Sequence, residues 1–167
     1  MMNFPHGLGM CHNGNLVNFY QLIDYLKSKQ HRFVFSTNDL EVLLNLISEK
    51  LVEHMRTKFQ YSHLQEAAQN TFEKAEGGYS VLGLIADKGL FAFKDPNAIR
   101  PLLMGKKTID GKDAYCFASE STVLDYLGYK ILRDLNPGEI VFVDTDGNIH
   151  STHPIEEPVQ MANASPC

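Results

Sequence analysis

The stretch YSVLGLIADKGLFAF, residues 79–93, decides the fold class. Two apolar runs rich in β-branched and aromatic residues flank Asp87-Lys88-Gly89, a turn signal, which predicts a tight antiparallel hairpin. The same texture continues downstream in LLMGKK (102–107), the turn Asp110-Gly111 and AYCFAS (114–119). EIVFVDTDGNIHST (139–152) predicts a last hairpin around Asp146-Gly147. Only STVLDYL (121–127) interrupts the meander, with the spacing of a two-turn helix stopped by Gly128.

Upstream the period changes. Leu16, Val17, Phe19, Tyr20, Ile23 and Leu26 fall on one helical stripe that ends in polar KSKQ, predicting a helix over 16–29. HRFVFS (31–36) reads as a short strand. Asn38 with Glu41 three residues on reads as a capping pair for LEVLLNLISEKLVEHM (40–55), which places Asp39 in the first turn. Ser62 with Gln65 predicts a shorter helix through Glu73, closed by Gly77-Gly78. Helices precede hairpins and βαβ units are absent, so the class is α+β. No repeat, linker or low-complexity tract divides residues 1–167, which read as one domain or part of one; the proline-bearing end HPIEEPVQMANASPC (153–167) reads as an irregular exit.

Composition narrows the function classes. An apolar content of 44% with 21% charge is ordinary for a globular chain. The net charge of −5 is mild and both signs are scattered, so no basic stripe points to nucleic acid. Cys11, Cys116 and Cys167 form no zinc-type pair and read as reduced thiols of a cytosolic protein. The opening MMNFPHGLGMCHNG lacks the pattern of a secretory signal, and no run approaches the roughly 20 apolar residues of a membrane span.

Chemistry concentrates in HNGN, residues 12–15. Placed on a tight loop, Asn13 and Gly14 would aim a side-chain amide and a backbone N–H at one point, the geometry of an oxyanion hole; the same dipeptide also serves as a plain turn, with His12 supporting it. Asp39 at a helix N-terminus is suited to hold an ammonium group, or simply to complement the helix dipole. Cys11 beside His12 suggests a thiol–imidazole dyad, but neighbours at a strand end point to opposite faces, which favours Cys11 as a packing residue. Asp95 and Arg100 in AFKDPNAIRPL (92–102) read as an internal ion pair ordering a loop, with Arg100 toward an anion as the other option. His150/His153 and Glu156/Glu157 lack metal-ligand spacing within an element.

HNGNLVN, FSTNDLEVLLNLI, GGYSVLGLI, FAFKDPNAIRPLLMGKK, FASESTVLDYLGYKILRDLNPGEIVFVD and the closing ASPC, in this order, resemble the amidophosphoribosyltransferases over almost the whole chain. HNG alone is shared with other glutamine amidotransferases of the N-terminal-nucleophile class. The resemblance implies a four-layer αββα glutaminase domain of N-terminal-nucleophile hydrolase type, incomplete at its N-terminus. In it a terminal cysteine attacks glutamine with its own α-amine as base. The ammonia released displaces pyrophosphate from phosphoribosyl pyrophosphate to give phosphoribosylamine, at the first committed step of purine synthesis. By motif, Asn13 and Gly14 are the oxyanion donors and Asp39 binds the glutamine α-amino group.

Several departures accompany the resemblance. The family's cysteine nucleophile and the arginine that holds the substrate carboxylate fall upstream of HNGN. The phosphoribosyltransferase domain, with its magnesium site, falls beyond Cys167. Ala98 stands where the family usually has glycine. No cofactor is expected within these residues; Cys167 matches one ligand of the iron–sulfur cluster some members carry, without the others. The 167 residues are therefore expected to be inactive alone, with a non-catalytic binding relative and a Cys11 hydrolase as the competing readings. The loss of upstream strands leaves a sheet edge expected to drive self-association into a homo-oligomer.

Overall fold

The computed structural model describes residues 2–3, 7–54 and 58–152. Two strands, β1 (Met2–Asn3) and β2 (Leu8–Leu16), lead into three helices, α1 (Phe19–Gln30), α2 (Asp39–Glu53) and α3 (Tyr61–Lys74). Strands β3 (Gly77–Ile85), β4 (Gly89–Lys94), β5 (Leu103–Ile109) and β6 (Lys112–Ala118) follow, then α4 (Ser121–Tyr126), β7 (Lys130–Asp134), β8 (Ile140–Asp144) and β9 (Ile149–Ser151). The strands form two antiparallel sheets, one ordered β1-β2-β3-β4-β8-β9 and the other β6-β5-β7.

The larger sheet buries one face beneath the helices. Leu8, Met10 and Leu16 of β2, Tyr79, Val81 and Ile85 of β3, and Phe91 and Phe93 of β4 alternate inward, as the two-residue period of a strand requires. They meet Leu43, Leu46 and Ile47 of α2 and Leu64 of α3. Each such side chain contributes about 1.5–3 kcal/mol by leaving water. Helix α2 is buried on nearly every side, from Leu40 to Glu49, because α1 and α3 flank it.

A second core fills the space between the sheets: Ala92 and Val141 on one side, Leu102, Met104, Phe117 and Leu135 on the other. Outside the small sheet, α4 lays Leu124 against Gly105, where an added Cβ would come within 3.0 Å of the leucine. The order helices, sheet, sheet, helix is the αββα arrangement, a mixed α/β fold. Buried charges tie the two sheets together. Lys94 of β4, 3% exposed, donates to Asp134 of β7 at 2.8 Å, and Arg133 of β7 forks onto the fully buried Glu139 at 2.7 and 2.5 Å.

Several expectations change in the folded chain. The first helix begins at Phe19, because 12–16 continue β2 rather than turning. Residues 31–35 form no ladder. Helix α3 is capped two residues early, with the Gln60 N–H bonded to His63 Nδ1 at 3.3 Å. Strand β7 was not foreseen, since KILRD mixes charge and apolar residues on a sheet edge. The hairpin run is split between two sheets, not one meander. The irregular exit, His153, Glu156, Glu157 and Cys167 lie outside the described residues. No helix among the described residues is long and apolar enough to cross a membrane.

Asp95 does not pair with Arg100. It is wholly buried and accepts from the backbone N–H groups of Asn97 (2.9 Å), Ile99 (3.1 Å) and Tyr79 (3.2 Å), while Arg100 is exposed. These bonds hold Ala98 at φ 52°, in the left-handed region. A non-glycine residue there costs about 1–2 kcal/mol, partly offset by the roughly 0.5–1 kcal/mol of extra chain entropy that glycine loses on folding. Ala98→Gly should therefore stabilise the chain by about 0.5–1 kcal/mol, read as a higher urea midpoint at unchanged slope; an unchanged or lower midpoint would show that the loop bears no such strain.

Candidate functional site

Asn13 and Gly14 lie in the middle of β2, paired with Ser80 and Tyr79, so the predicted tight loop is an extended strand. Gly14 is absent from the positive-φ residues. Its requirement for glycine is steric: an added Cβ would stand 2.3 Å from the Gly78 carbonyl oxygen and 2.6 Å from Tyr79 Cα.

The ladder fixes where the amides point. Val17 N–H donates to Glu76 O at 2.7 Å, and Ala86 N–H to Gly7 O at 3.2 Å, so the odd-numbered residues of β2 are the hydrogen-bonded partners of β3. The N–H groups of His12, Gly14 and Leu16 therefore point to the opposite edge. Among the described residues β1 pairs with β2 only at Gly9 and Leu8, so no described strand pairs with that edge at His12 or Gly14.

Asp39 stands on this edge. Its Oδ2 accepts the Leu16 N–H at 2.7 Å, which joins the end of β2 to the start of α2 across 23 residues of sequence. The loop before it is held from within. Glu41 accepts from Phe35 N–H (2.8 Å), Ser36 N–H (2.8 Å) and Ser36 Oγ (2.6 Å), and Asn38 caps the helix by accepting from Leu40 N–H at 2.9 Å. Glu41 thus folds the loop rather than closing a capping box on Asn38. Burial alone would raise its pKa; the Ser36 hydroxyl and the two amides outweigh that and hold it below the ordinary carboxylate value.

Side chains alternate along β2. Cys11, Asn13 and Asn15 are exposed on the face toward the second sheet, which covers β4 and β8 but not β2. His12 lies on the other face, half-buried, with Nε2 buried and unpartnered. Burial pushes the imidazole pKa down, and the nearby Asp39 carboxylate offsets this only in part. Cys11 and His12 are on opposite faces and form no dyad. Asn18 of the same motif is structural: its side chain donates to Lys74 O at 2.7 Å and accepts Glu76 N–H at 3.0 Å, clamping α1 to the α3–β3 connection.

The fold brings Asn13, Gly14, His12 and Asp39 to one region, and leaves the other candidates elsewhere. Cys116 is half-buried on β6, where burial pushes its thiol pKa up. His150 pairs with Asp144 at 3.2 Å beside the β8–β9 turn. Among the described residues no cluster of three or more His, Cys, Asp or Glu is placed to hold a metal. Sequence reasoning missed Glu41 as the organiser of the Asp39 loop; its spacing from Asn38 was the only signal, and it pointed to a different partner.

The model of the glutamine amidotransferase domain family matches residues 1–126. The chain belongs to the glutamine amidotransferase domain family. It is a class II member, homologous to the amidophosphoribosyltransferases. That of Escherichia coli (strain K12) is 35% identical over 167 residues, covering 99% of this chain and 32% of that protein. That of Schizosaccharomyces pombe is 41% identical over 143 residues, 85% of this chain and 27% of that protein. This amidotransferase domain thus spans about a third of the length of the curated relatives it matches.

Among solved structures, the glutamine phosphoribosylpyrophosphate amidotransferase from B. subtilis complexed with ADP and GMP aligns with a TM-score of 0.66 and 29% identity, over 92% of this chain and 29% of that one. A class-II glutamine aminotransferase domain protein from Silicibacter pomeroyi shares the fold at a TM-score of 0.56 and 16% identity, over 86% of this chain and 66% of that one.

Proposed function

We propose that this amidotransferase domain binds glutamine along the open edge of β2. The observation that carries the reading is that the Gly14 N–H and the Asp39 carboxylate face the same unpaired edge. The Asn13 amide and the Gly14 N–H are the donors for the oxyanion that forms on the side-chain carbonyl of glutamine. Asp39 spends one oxygen on Leu16 N–H and keeps the other for the α-ammonium. Two residues of strand separate Gly14 from Leu16, roughly 7 Å, which is the order of the distance between the amide and amino ends of an extended glutamine. Within a longer protein this site would supply ammonia to phosphoribosyl pyrophosphate, giving phosphoribosylamine for purine synthesis, with magnesium held by the phosphoribosyltransferase part.

Neither described cysteine is the nucleophile of this reading. Cys11 projects from the face of β2 opposite His12, and Cys116 is on another strand with a raised pKa. On this reading no described cysteine attacks the amide, so incubation of the 167 residues with glutamine should release no glutamate above background. Binding is the sharper test. Glutamine titrated into the chain should shift the amide resonances of Gly14, Leu16 and Asp39, and Asp39→Asn, which keeps an acceptor for Leu16, should weaken binding about tenfold or more by removing the charge. Shifts confined to other regions, or an unaffected Asp39→Asn variant, would overturn the assignment.

The same open edge supports self-association, because an unpaired strand edge is a template for a second chain. Light scattering of the chain at working concentration should report a dimer or larger species. A monomer would count against edge pairing and leave the glutamine site unaffected.

A further inference from the structure

On the helix side of the large sheet, two strands, one helix and one turn bring side chains to a single cavity of about 260 Å³. Phe142 of β8 and His150 of β9 are cross-strand partners and share a face, and Asp144 lies on that face two residues on. Tyr61 at the start of α3 meets both rings, with centroids 6.4 Å from Phe142 and 5.6 Å from His150, and Phe59 stands 5.5 Å from Phe142. Phe142 also reaches the β3–β4 turn: a Cβ added at Gly89 would stand 3.0 Å from its Cζ. That turn carries Asp87 and Lys88, which complete the lining.

The ring planes of Tyr61, Phe142 and His150 differ pairwise by only 18°, 32° and 35°, so the three present near-parallel faces to a flat group. The charges favour a cation. Asp144 is fixed by the N–H groups of Asp146 (3.0 Å) and Asn148 (2.8 Å), by Asn148 Nδ2 (3.0 Å) and by His150 Nε2 (3.2 Å). These bonds, the Asn148 side chain first, hold its carboxyl down to about 2. Asp87 is exposed, and among the described residues its carboxylate forms no ion pair. Lys88 opposes them, so two carboxylates against one ammonium leave the lining with one net negative charge.

We propose that this cavity takes a guanidinium group, borne by an arginine side chain or by a small alkylguanidine. A guanidinium is planar, weakly hydrated and always charged, so it stacks on aromatic faces while its N–H fork meets a carboxylate. An ammonium brings charge without a flat face, and an anion would meet two carboxylates. The volume falls below the roughly 300–1,000 Å³ of drug-sized sites and suits one group of side-chain size.

Titration of the 167-residue chain with methylguanidinium, followed by amide NMR at Asp87, Asp144 and His150, tests the assignment. Saturable shifts that weaken with added salt are expected. Asp87→Asn suits the left-handed backbone at φ 59° and should keep the remaining spectrum intact while weakening binding about tenfold. Lys88→Gln should tighten binding about two- to fivefold by removing the opposing charge. Urea, flat but neutral, and tetramethylammonium, charged but without N–H donors, should each bind about tenfold more weakly or worse. N-acetyl-arginine amide and L-arginine separate the sources: tighter binding of the blocked form assigns the site to an arginine of a polypeptide, and the reverse assigns it to a free small molecule. Shifts that do not saturate, indifference to Asp87→Asn, weaker binding by Lys88→Gln, or equal binding of urea or tetramethylammonium would overturn it.

Discussion

Glu139→Ala should destabilise the chain by roughly 3–5 kcal/mol, the usual cost of removing one partner from a buried ion pair. For a chain of this size that lowers the Tm by about 10 °C or more. Glu139 is fully buried and receives five donors: the Arg133 fork, the Asn136 N–H (2.7 Å), Asn136 Nδ2 (3.2 Å) and Ser151 Oγ (2.6 Å). These come from β7 in one sheet, β9 in the other and the loop between β7 and β8. Without the carboxylate, the Arg133 guanidinium, whose Nε already lacks a partner, is left charged and poorly paired at the joint between sheets. Glu139→Gln keeps two of the acceptor directions and should lose less. Equal, small losses for both variants in urea denaturation would show that the sheets are held by apolar packing alone.

The same carboxylate sets a pH dependence. Burial alone would raise the Glu139 pKa, but the Arg133 fork, the Ser151 hydroxyl and the Asn136 amide outweigh it, and the pKa lies below the ordinary value. Its stabilising contribution is fully present above the unfolded-state pKa of about 4.3 and is lost as pH falls through the lower folded-state value. Glu41, depressed by its loop bonds, acts with the same sign. Stability should be flat from neutral pH to about 5 and fall below it, with a shallower fall in Glu139→Gln; a fall already under way between pH 7 and 6 would assign the dependence to histidine.

Gly14→Ala should cost about 1–3 kcal/mol, the range for overpacking. The new methyl would meet backbone atoms, the Gly78 carbonyl oxygen at 2.3 Å and Tyr79 Cα at 2.6 Å, which cannot rotate away. Strand β2 must move off β3, and the Gly14 N–H moves with it. In a chain that includes the family's nucleophile segment, displacing one oxyanion donor should lower the glutaminase kcat about 10²–10³-fold. The KM for glutamine should change little, because Asp39 keeps its place on Leu16. A Gly14→Ala chain as stable as the parent would show that the two strands part without cost and remove the steric reason for glycine.

The hairpins around Asp87-Gly89, Asp110-Gly111 and Asp146-Gly147 were legible because turn residues and two-residue alternation are local properties. Helix α2 was legible for the same reason, since its Asn38 cap and apolar run act within a few residues. The HNGN motif was legible as chemistry and misleading as geometry. Asn-Gly is a turn signal in isolation, but pairing with β3 on one side holds it extended, and glycine is required there by the neighbouring backbone rather than by φ.

What the sequence determined by itself was the α+β class, most element boundaries and the residue types of the candidate site, all set by short-range periodicity and capping. The tertiary structure alone decided that the hairpins divide between two sheets, that Asp95 binds backbone amides instead of Arg100, and that Asp39 meets the end of β2. Asp39 meets Leu16 across 23 residues and Asp95 meets Tyr79 across 16 as well as the amides of its own loop; competition for buried hydrogen-bond donors chose these partners, and no local pattern records which donor wins.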